Sequence, residues 1–465
     1  MNKINIGNKE VIHFVGIGGI GMSGLAQVMK TMGFNIQGSD LNKNKNIDNC
    51  KKIGIKVLFG HSKKNISKAT IIVKSSAISK QNIEIIESKK RKLPLYERAE
   101  MLANIVSLKK NIIITGSHGK TTTTSLVAKI LSQAKLDPTI INGGVINSIK
   151  NNAKHGKGEW AILEADESDG SFLKLPINYS VVTNIDNEHL DYYKNYKNLR
   201  NAFKQFINKT PPIGKSIICI DDPDLKKIIT EVKTKNYLTY GFNKKANYMI
   251  SHAKYENQKS KFNLTIKRYG SKKTIIRNIV LNLIGKYNIL NAAASIAVCL
   301  NIGVNIKIIK KSLNMFSGVQ RRLTKIFVKN KREFYDDYAH HPTEIASVLE
   351  GVKKVYKNRK IISVFQPHRY SRLKNLKEKF TSCFKLSDIV VLCPVYAAGE
   401  KKDKNYNQNN FSKLIAKNSN AQVIIVKNEL DLKNYLQKNL INDEIIIGMG
   451  AGSISKWMRD LKNNL

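Results

Sequence analysis

The residues best suited to chemistry in this chain lie in Thr115-Gly116-Ser117-His118-Gly119-Lys120-Thr121-Thr122. The stretch follows the apolar run Ile112–Ile114 and opens a helical pattern. Small residues let backbone amides approach phosphate oxygens. A lysine can reach the β- and γ-phosphates, and a hydroxyl suits Mg2+. Gly116, Ser117, His118 and Gly119 would supply the amides, Lys120 the cation, and Thr121 the metal hydroxyl with Thr122 behind it. The pattern departs from the strict phosphate loop, whose first glycine would fall at Ile114. A plain helix cap explains the threonines but not the Gly119-Lys120 pair.

A nucleoside triphosphate arrives with Mg2+, which needs oxygen or imidazole partners. Two clusters follow the loop. Glu164-Ala165-Asp166-Glu167-Ser168-Asp169 comes at the end of the strand-like Trp160–Leu163 run. Asn184-Ile185-Asp186-Asn187-Glu188-His189-Leu190-Asp191 comes at the end of the Ser180–Thr183 run. A lone acidic cluster is usually a solvated loop. Two at the carboxyl ends of strands, beside a phosphate loop, favour a metal site.

A second glycine loop stands near the N-terminus. Gly16-Ile17-Gly18-Gly19-Ile20-Gly21 follows an apolar run and precedes a helical pattern. Asp40 trails it by about the 20 residues expected of a ribose-binding acid. Glycines admit a pyrophosphate, and a helix N-terminus holds it. The pattern specifies a diphosphate, not a nicotinamide. An NAD-dependent oxidoreductase and a nucleotide-sugar binder both satisfy it. The oxidoreductase reading leaves Lys120 and both acidic clusters without work.

The elements that would position these residues alternate strand and helix. Val11–Val15, Asn35–Gly38 and Ile71–Val73 read as buried strands around a helix at Met22–Met32. Ile112–Ile114, Trp160–Glu164, Ser180–Thr183, Ile217–Ile220 and Thr274–Leu281 form a second series, with an alanine-rich helix at Ile289–Leu300. Lys325–Val328, Ile361–Phe365, Ile389–Leu392, Val423–Val426 and Glu444–Ile447 form a third. The fold class is α/β in three domains. The N-terminal domain (1–107) is Rossmann-like, the central one (108–317) is of the phosphate-loop type, and the C-terminal one (318–465) is again Rossmann-like. A length of 465 residues agrees, at roughly 150 residues per domain.

Composition narrows the class. No apolar run reaches the roughly 18 residues of a membrane span, and the polar start lacks a signal-peptide core. A cytoplasmic protein is expected. The five cysteines are Cys50, Cys219, Cys299, Cys383 and Cys393; none forms a Cys-x-x-Cys pair, and neither a disulfide framework nor a zinc site is expected. The net charge of +44 raises nucleic-acid binding as a rival function. However, lysine far outnumbers arginine and is scattered over every segment, and no arginine–aromatic cluster appears. No nucleic-acid partner is expected. The oligomeric state is not legible.

Taken together, Gly16–Gly21, Gly116–Thr123, Glu164–Asp169, Asn184–His189 and Asp336-Asp337-Tyr338-Ala339-His340-His341-Pro342 resemble the Mur ligases of peptidoglycan synthesis, in order and over essentially the whole chain. The resemblance implies ATP and Mg2+ as cofactors. It implies UDP-N-acetylmuramate and L-alanine as substrates, joined through an acyl phosphate. A sister activity that adds a preformed peptide to the same sugar nucleotide is the nearest alternative. By the same resemblance, Lys120 binds phosphate, Thr121 and Glu164 hold one Mg2+, with Glu167 the rival carboxylate, and His189 holds a second. Gly16, Gly18, Gly19, Gly21, Asp40 and Ser76 would hold the UDP-sugar. Asn288 and Asn291 match adenine-contacting asparagines, though Tyr287 stands where the family has histidine, and a helix-capping role is a rival for both. Arg322 and Asp337 match residues that approach ATP. Tyr338, His340, Arg369 and Arg372 match positions around the amino acid and the acyl phosphate, with Lys120, His189, His340 and Arg369 as the catalytic set. An arginine fork suits the alanine carboxylate.

Overall fold

The computed structural model describes residues 10–267, 270, 272–441 and 443–463. Its strands make three sheets. The first contains β1 (Val11–Val15), β2 (Asn35–Asp40), β3 (Lys56–Phe59), β4 (Ile71–Lys74) and β5 (Leu95–Glu97), in the order 3-2-1-4-5. All its pairings are parallel. Helices cover such sheets on both faces, so central strands become continuous apolar runs. Phe14, Val15, Ile72 and Val73 are accordingly fully buried. Chain order reverses between β1 and β4, and open sheets bind ligands at such a switch point.

The second sheet contains β6 (Lys110–Thr115), β7 (Thr139–Ile146), β8 (Asn151–Lys154), β9 (Trp160–Glu164), β10 (Tyr179–Val182), β11 (Lys215–Cys219), β12 (Tyr237–Gly241), β13 (Tyr248–Glu256), β14 (Lys259–Ile266) and β15 (Thr274–Leu281). Its order is 15-14-13-12-11-10-6-9-7-8. β6 is interior, with Ile112, Ile113 and Ile114 at 0% exposure, and pairs in parallel with β9 and β10. The loops after these three strands therefore emerge side by side. The first sheet's helix α1 (Ile20–Thr31) packs on β7 and β8, where Asn152 Nδ2 donates to the Ile20 carbonyl at 2.9 Å.

The third sheet contains β16 (Thr324–Lys329), β17 (Arg332–Asp337), β18 (Ile361–Phe365), β19 (Ile389–Leu392), β20 (Gln422–Ile425) and β21 (Ile445–Met449), in the order 16-17-21-18-19-20. Only the edge strand β16 pairs antiparallel. Two apolar layers sandwich it, one built on Phe365, Phe380 and Phe384 and the other on Val391, Ile446 and Met458.

By internal contacts the chain forms two compact units. One comprises Met1–Ala253, Phe262–Val280 and Leu290–Ser317; the other comprises Lys254–Lys261, Leu281–Ile289 and Gly318–Leu465. The first two sheets thus share a unit. The α/β class and the three sheets agree with expectation. β3, β5, β7, β8, β12, β13, β14 and β17 were not anticipated. The cysteines are all buried and unbridged.

Candidate active site

β6 ends at Thr115, and the loop turns through Gly116 (φ 126°) and Gly119 (φ 85°) into helix α2 (Lys120–Gln133). Both angles favour glycine, and space demands it too. A Cβ would lie 2.1 Å from Thr183 Oγ1 at Gly116 and 2.5 Å from Asn291 Oδ1 at Gly119. No side chain caps α2, so its first-turn amides and dipole are presented to an anion. Two amides assigned to phosphate from the sequence are engaged elsewhere. Ser117 N–H donates to the Asn184 carbonyl at 3.0 Å, and His118 N–H to Asn184 Oδ1 at 2.9 Å. Their side chains also contact the β10 loop. The Asp186 N–H donates to Ser117 Oγ at 2.8 Å, and His118 Nε2 lies 3.1 Å from Asp186 Oδ2.

The Lys120 ammonium donates to Gly116 O at 2.7 Å, to Ser117 O at 3.3 Å and to Glu167 Oε2 at 2.8 Å. Burial disfavours its charge, but the carboxylates of Glu167, Asp166 and Glu164 outweigh that and hold the ammonium above its ordinary range. Thr121 Oγ1 donates to Glu164 Oε1 at 3.1 Å, and the Gly143 N–H donates to Glu164 Oε2 at 2.6 Å. Thr122 is buried behind Thr121.

His189, at φ 58°, stands with the other acids. Its Nε2 lies 3.7 Å from Glu167 Oε1, and the ligand atoms of Asp166, Glu167 and His189 all fall within 4.8 Å of one another. Glu167 Oε1 is buried and has no hydrogen-bond donor among the described residues. Two oxygen-rich centres therefore flank Lys120, one at Thr121–Glu164 and one at Asp166–Glu167–His189. Their hard donors fit a Mg2+ ion. Asp166 went unassigned in the sequence, and Glu167 stood there only as the rival to Glu164, although both lie in the acidic stretch that marked the site.

In the first sheet, Gly16 (φ 81°), Gly18, Gly19 and Gly21 line the turn from β1 into α1. Asp40, ending β2, accepts the Gly18 N–H on Oδ2 at 2.8 Å. A side chain at Gly21 would press on Arg98. Ser76 is exposed just beyond β4, across the switch point. Asn288 and Asn291 occupy one helix, α3 (Lys286–Asn301), three residues apart and so on one face. Asn291 adjoins Gly119, while Asn288 Nδ2 donates to Ile284 O at 2.7 Å.

In the second unit, loops after β17, β18 and β19 supply a cluster together with Arg321 and Arg322. Asp337, at the end of β17, accepts from the amides of Leu323 at 2.6 Å and Ala339 at 2.7 Å. Burial pushes its carboxyl up to about 6, against the pull of Arg322. Arg321 and Arg322 lie over the Tyr338 ring at 4.8 and 5.4 Å. His340 Nδ1 lies 2.9 Å from the Tyr338 carbonyl oxygen, which can only accept, so Nδ1 carries a proton. Arg369 sits at φ 69° where β18 gives way to the helix Tyr370–Asn375, and its N–H donates to Tyr396 O at 2.9 Å. Such a backbone is strained for a non-glycine residue. Arg372 Nη1 donates to His368 Nδ1 at 3.2 Å. The His368 ring stacks on Tyr396 at 5.6 Å and meets His340 edge-on at 5.8 Å. Burial and the neighbouring His340 and Arg372 lower His368 to about 4, so it is neutral and accepts. His368 and Tyr396 were not assigned from the sequence. His368 directly precedes Arg369, which the sequence did single out, and Tyr396 follows β19 at its carboxyl end.

Parallel sheets, a glycine–lysine phosphate loop and flanking carboxylates define a nucleoside-triphosphate-using α/β enzyme. Three family descriptions match in succession: "Mur ligase family, catalytic domain" over 11–110, "Mur ligase middle domain" over 114–299, and "Mur ligase, glutamate ligase domain" over 321–452. The chain is 56% identical to the UDP-N-acetylmuramate–L-alanine ligase of Pelagibacter ubique over 99% of both chains. It is 41% identical to the ligase of the same name from Bartonella bacilliformis, over 99% of this chain and 97% of that one. A crystal structure of UDP-N-acetylmuramate-alanine ligase from Thermotoga maritima superposes with a TM-score of 0.81 at 27% identity, covering 97% of this chain and 98% of the other. The chain belongs to the Mur ligase family, whose members are ATP-dependent.

Proposed function

We propose that this chain joins L-alanine to the lactyl carboxylate of UDP-N-acetylmuramate, converting ATP to ADP and phosphate, in peptidoglycan precursor synthesis. One observation carries the choice of substrates: 56% identity along 99% of both chains to a ligase so named. The site chemistry agrees with it.

A lactyl carboxylate oxygen attacks the γ-phosphorus of ATP, and ADP leaves. The acyl phosphate then accepts the alanine amine at its carbonyl carbon. The resulting tetrahedral oxyanion collapses, expels phosphate and leaves the amide. Negative charge develops on oxygen at each stage, so a fixed cation and amide dipoles lower the barrier. Lys120 and the first-turn amides of α2 are those groups on the ATP side. Thr121 with Glu164, and His189 with Glu167 and Asp166, would hold Mg2+ ions, which would neutralise phosphate charge. Asn291, beside the loop at Gly119, together with Asn288, would meet the adenine edge.

Segment 1–107 would hold the UDP moiety, with the pyrophosphate on the Gly16–Gly21 turn and Asp40 and Ser76 at the switch point. Segment 108–317 would bind ATP. In segment 318–465, Arg372 and Arg369 would grip the alanine carboxylate, and Tyr338 would wall the pocket. Nε2 of His340 would take the proton that the amine loses. Arg322 and Asp337 would serve the nucleotide. ATP and UDP-sugars are cytoplasmic metabolites, which supports a cytoplasmic location; no helix of the described residues is long and apolar enough to cross a membrane.

The test is ADP release with UDP-N-acetylmuramate and a panel of L-alanine, glycine, L-serine and a preformed peptide. L-Alanine should lead, with glycine and serine separated from it by about 1–3 kcal/mol, the worth of a methyl or hydroxyl group in a small pocket. Turnover confined to the peptide would overturn the reading.

A further inference from the structure

The loop after β10 was singled out for its acids and His189, yet Asn184, near its start, makes three hydrogen bonds to the phosphate loop. Asn184 Oδ1 accepts the His118 N–H at 2.9 Å. Asn184 Nδ2 donates to the His118 carbonyl at 3.0 Å. The backbone carbonyl of Asn184 accepts the Ser117 N–H at 3.0 Å. One residue thus grips both backbone polar groups of His118 and the N–H of the residue before it. Thr183 Oγ1 adds a bond to the same His118 carbonyl at 2.7 Å. From behind, the Ile185 N–H donates to Asp222 Oδ2 at 3.2 Å, which ties the grip to the start of the helix Pro223–Glu231.

A loop with glycines at two of its turns has many alternative peptide orientations, and ordering it costs entropy. Phosphate binding by backbone amides requires one of them. In a free loop, the nucleotide itself would have to select it, at a loss of affinity. Here Asn184 has already selected it. It also fixes which donors remain for phosphate. The Ser117 and His118 N–H groups are directed to Asn184, so the anion is received by the first turn of α2 and Lys120.

We propose that Asn184 is a positioning residue that holds the Gly116–Lys120 loop in its nucleotide-receiving shape by clasping the backbone N–H and C=O of His118 with its side-chain amide. The proposal rests on the reading of that loop as the ATP site. The side-chain amide of Asn184 is spent on loop backbone, so its removal should weaken ATP binding and leave the amino-acid site unaffected.

The experiment uses the full-length chain with Asn184→Ala and Asn184→Ser, neither of which can span both backbone groups of His118. Asn187→Ala, an exposed position in the same loop, is the control. ATP with excess MgCl2 is titrated calorimetrically, KM values are measured for ATP and L-alanine, and melting is recorded. Two lost hydrogen bonds should raise the Kd and KM for ATP about tenfold or more. The L-alanine KM should stay constant, and kcat should largely return at saturating ATP. Wild-type affinity for ATP in both Asn184 variants overturns the proposal. So does a fall in melting temperature and kcat with an unmoved ATP KM, because that is the signature of a merely structural residue. If the wild-type chain itself binds no ATP and Lys120→Ala changes nothing, the reading of the loop fails first and takes this proposal with it.

Discussion

Lys120→Ala should do two separable things. The ammonium makes three contacts, at 2.7, 3.3 and 2.8 Å, the last to Glu167. The Glu167 side chain is 1% exposed, and its other oxygen has no hydrogen-bond donor among the described residues. Removing Lys120 strands a carboxylate that water cannot reach. Breaking a buried pair from one side costs about 3–5 kcal/mol, more than the pair itself contributes. Urea unfolding should register a loss of that size. Catalysis should fall independently, by about 10²–10³ or more in kcat, the usual effect of deleting one fixed donor to a developing oxyanion. The double variant Lys120→Ala/Glu167→Gln separates the effects. With the carboxylate made neutral, only an unpaired amide is buried, at about 1–3 kcal/mol. The double variant should therefore be at least about 1–2 kcal/mol more stable than Lys120→Ala and no more active. Equal stability of the two would refute the electrostatic account of the pair. Retained ADP release in Lys120→Ala would refute the assignment of the loop.

Three further outcomes are expected. Gly116→Ala places a methyl group 2.1 Å from Thr183 Oγ1 at φ 126°, so it should distort the loop and abolish ATP binding, with about 1–3 kcal/mol of strain or more; calorimetry showing wild-type ATP affinity would contradict this. Glu333 is held down to about 2: burial raises it, but Lys325, Tyr335 and Arg359 overcome that. A depressed acid stabilises the fold above its unfolded value of about 4.3 and loses that contribution as pH falls through the folded value. Unfolding midpoints should therefore drop between about pH 4.5 and 2, with a flatter profile in Glu333→Gln, and parallel profiles would count against the pairing. Arg372→Lys keeps the charge but not the planar fork, so the KM for L-alanine should rise about tenfold or more while the Kd for ATP stays fixed; an unchanged L-alanine KM would remove Arg372 from the amino-acid site.

The three-sheet α/β plan was legible because its interior strands are unbroken apolar runs. Ile112–Ile114, Trp160–Leu163 and Ile361–Phe365 are buried on both faces and read that way in the sequence. β7 was hidden by the Asn142-Gly143-Gly144 stretch, which resembles a turn, and β8 by its polar sequence at the sheet edge. From Lys261 on, β14 alternates polar with apolar residues, as a strand does when one face is only partly covered. At the site, the ligand types and their order along the chain were legible. Their pairing was not. Whether Lys120 meets Glu164 or Glu167 depends on how far the chain runs past β9 before turning back, and only the folded loop decides that. The grip of Asn184 on the phosphate loop was hidden for the same reason. It joins residues 66 positions apart, and no local pattern records such a contact.

That separation bears on how the protein is made. β6 and its loop leave the ribosome well before either strand that will flank them. β9 follows some fifty residues later, and β10 with the Asn184 clasp later still. Until then the apolar Ile112–Ile114 run has no neighbours in the sheet, and the glycines of the loop remain unordered. Non-local parallel pairing is slow and leaves sticky strands exposed while it waits. The strand that leads into the proposed ATP loop is therefore synthesised before its partners and enclosed only when they arrive. Chaperone dependence during synthesis should centre on the nascent chain between the emergence of β6 and that of β10.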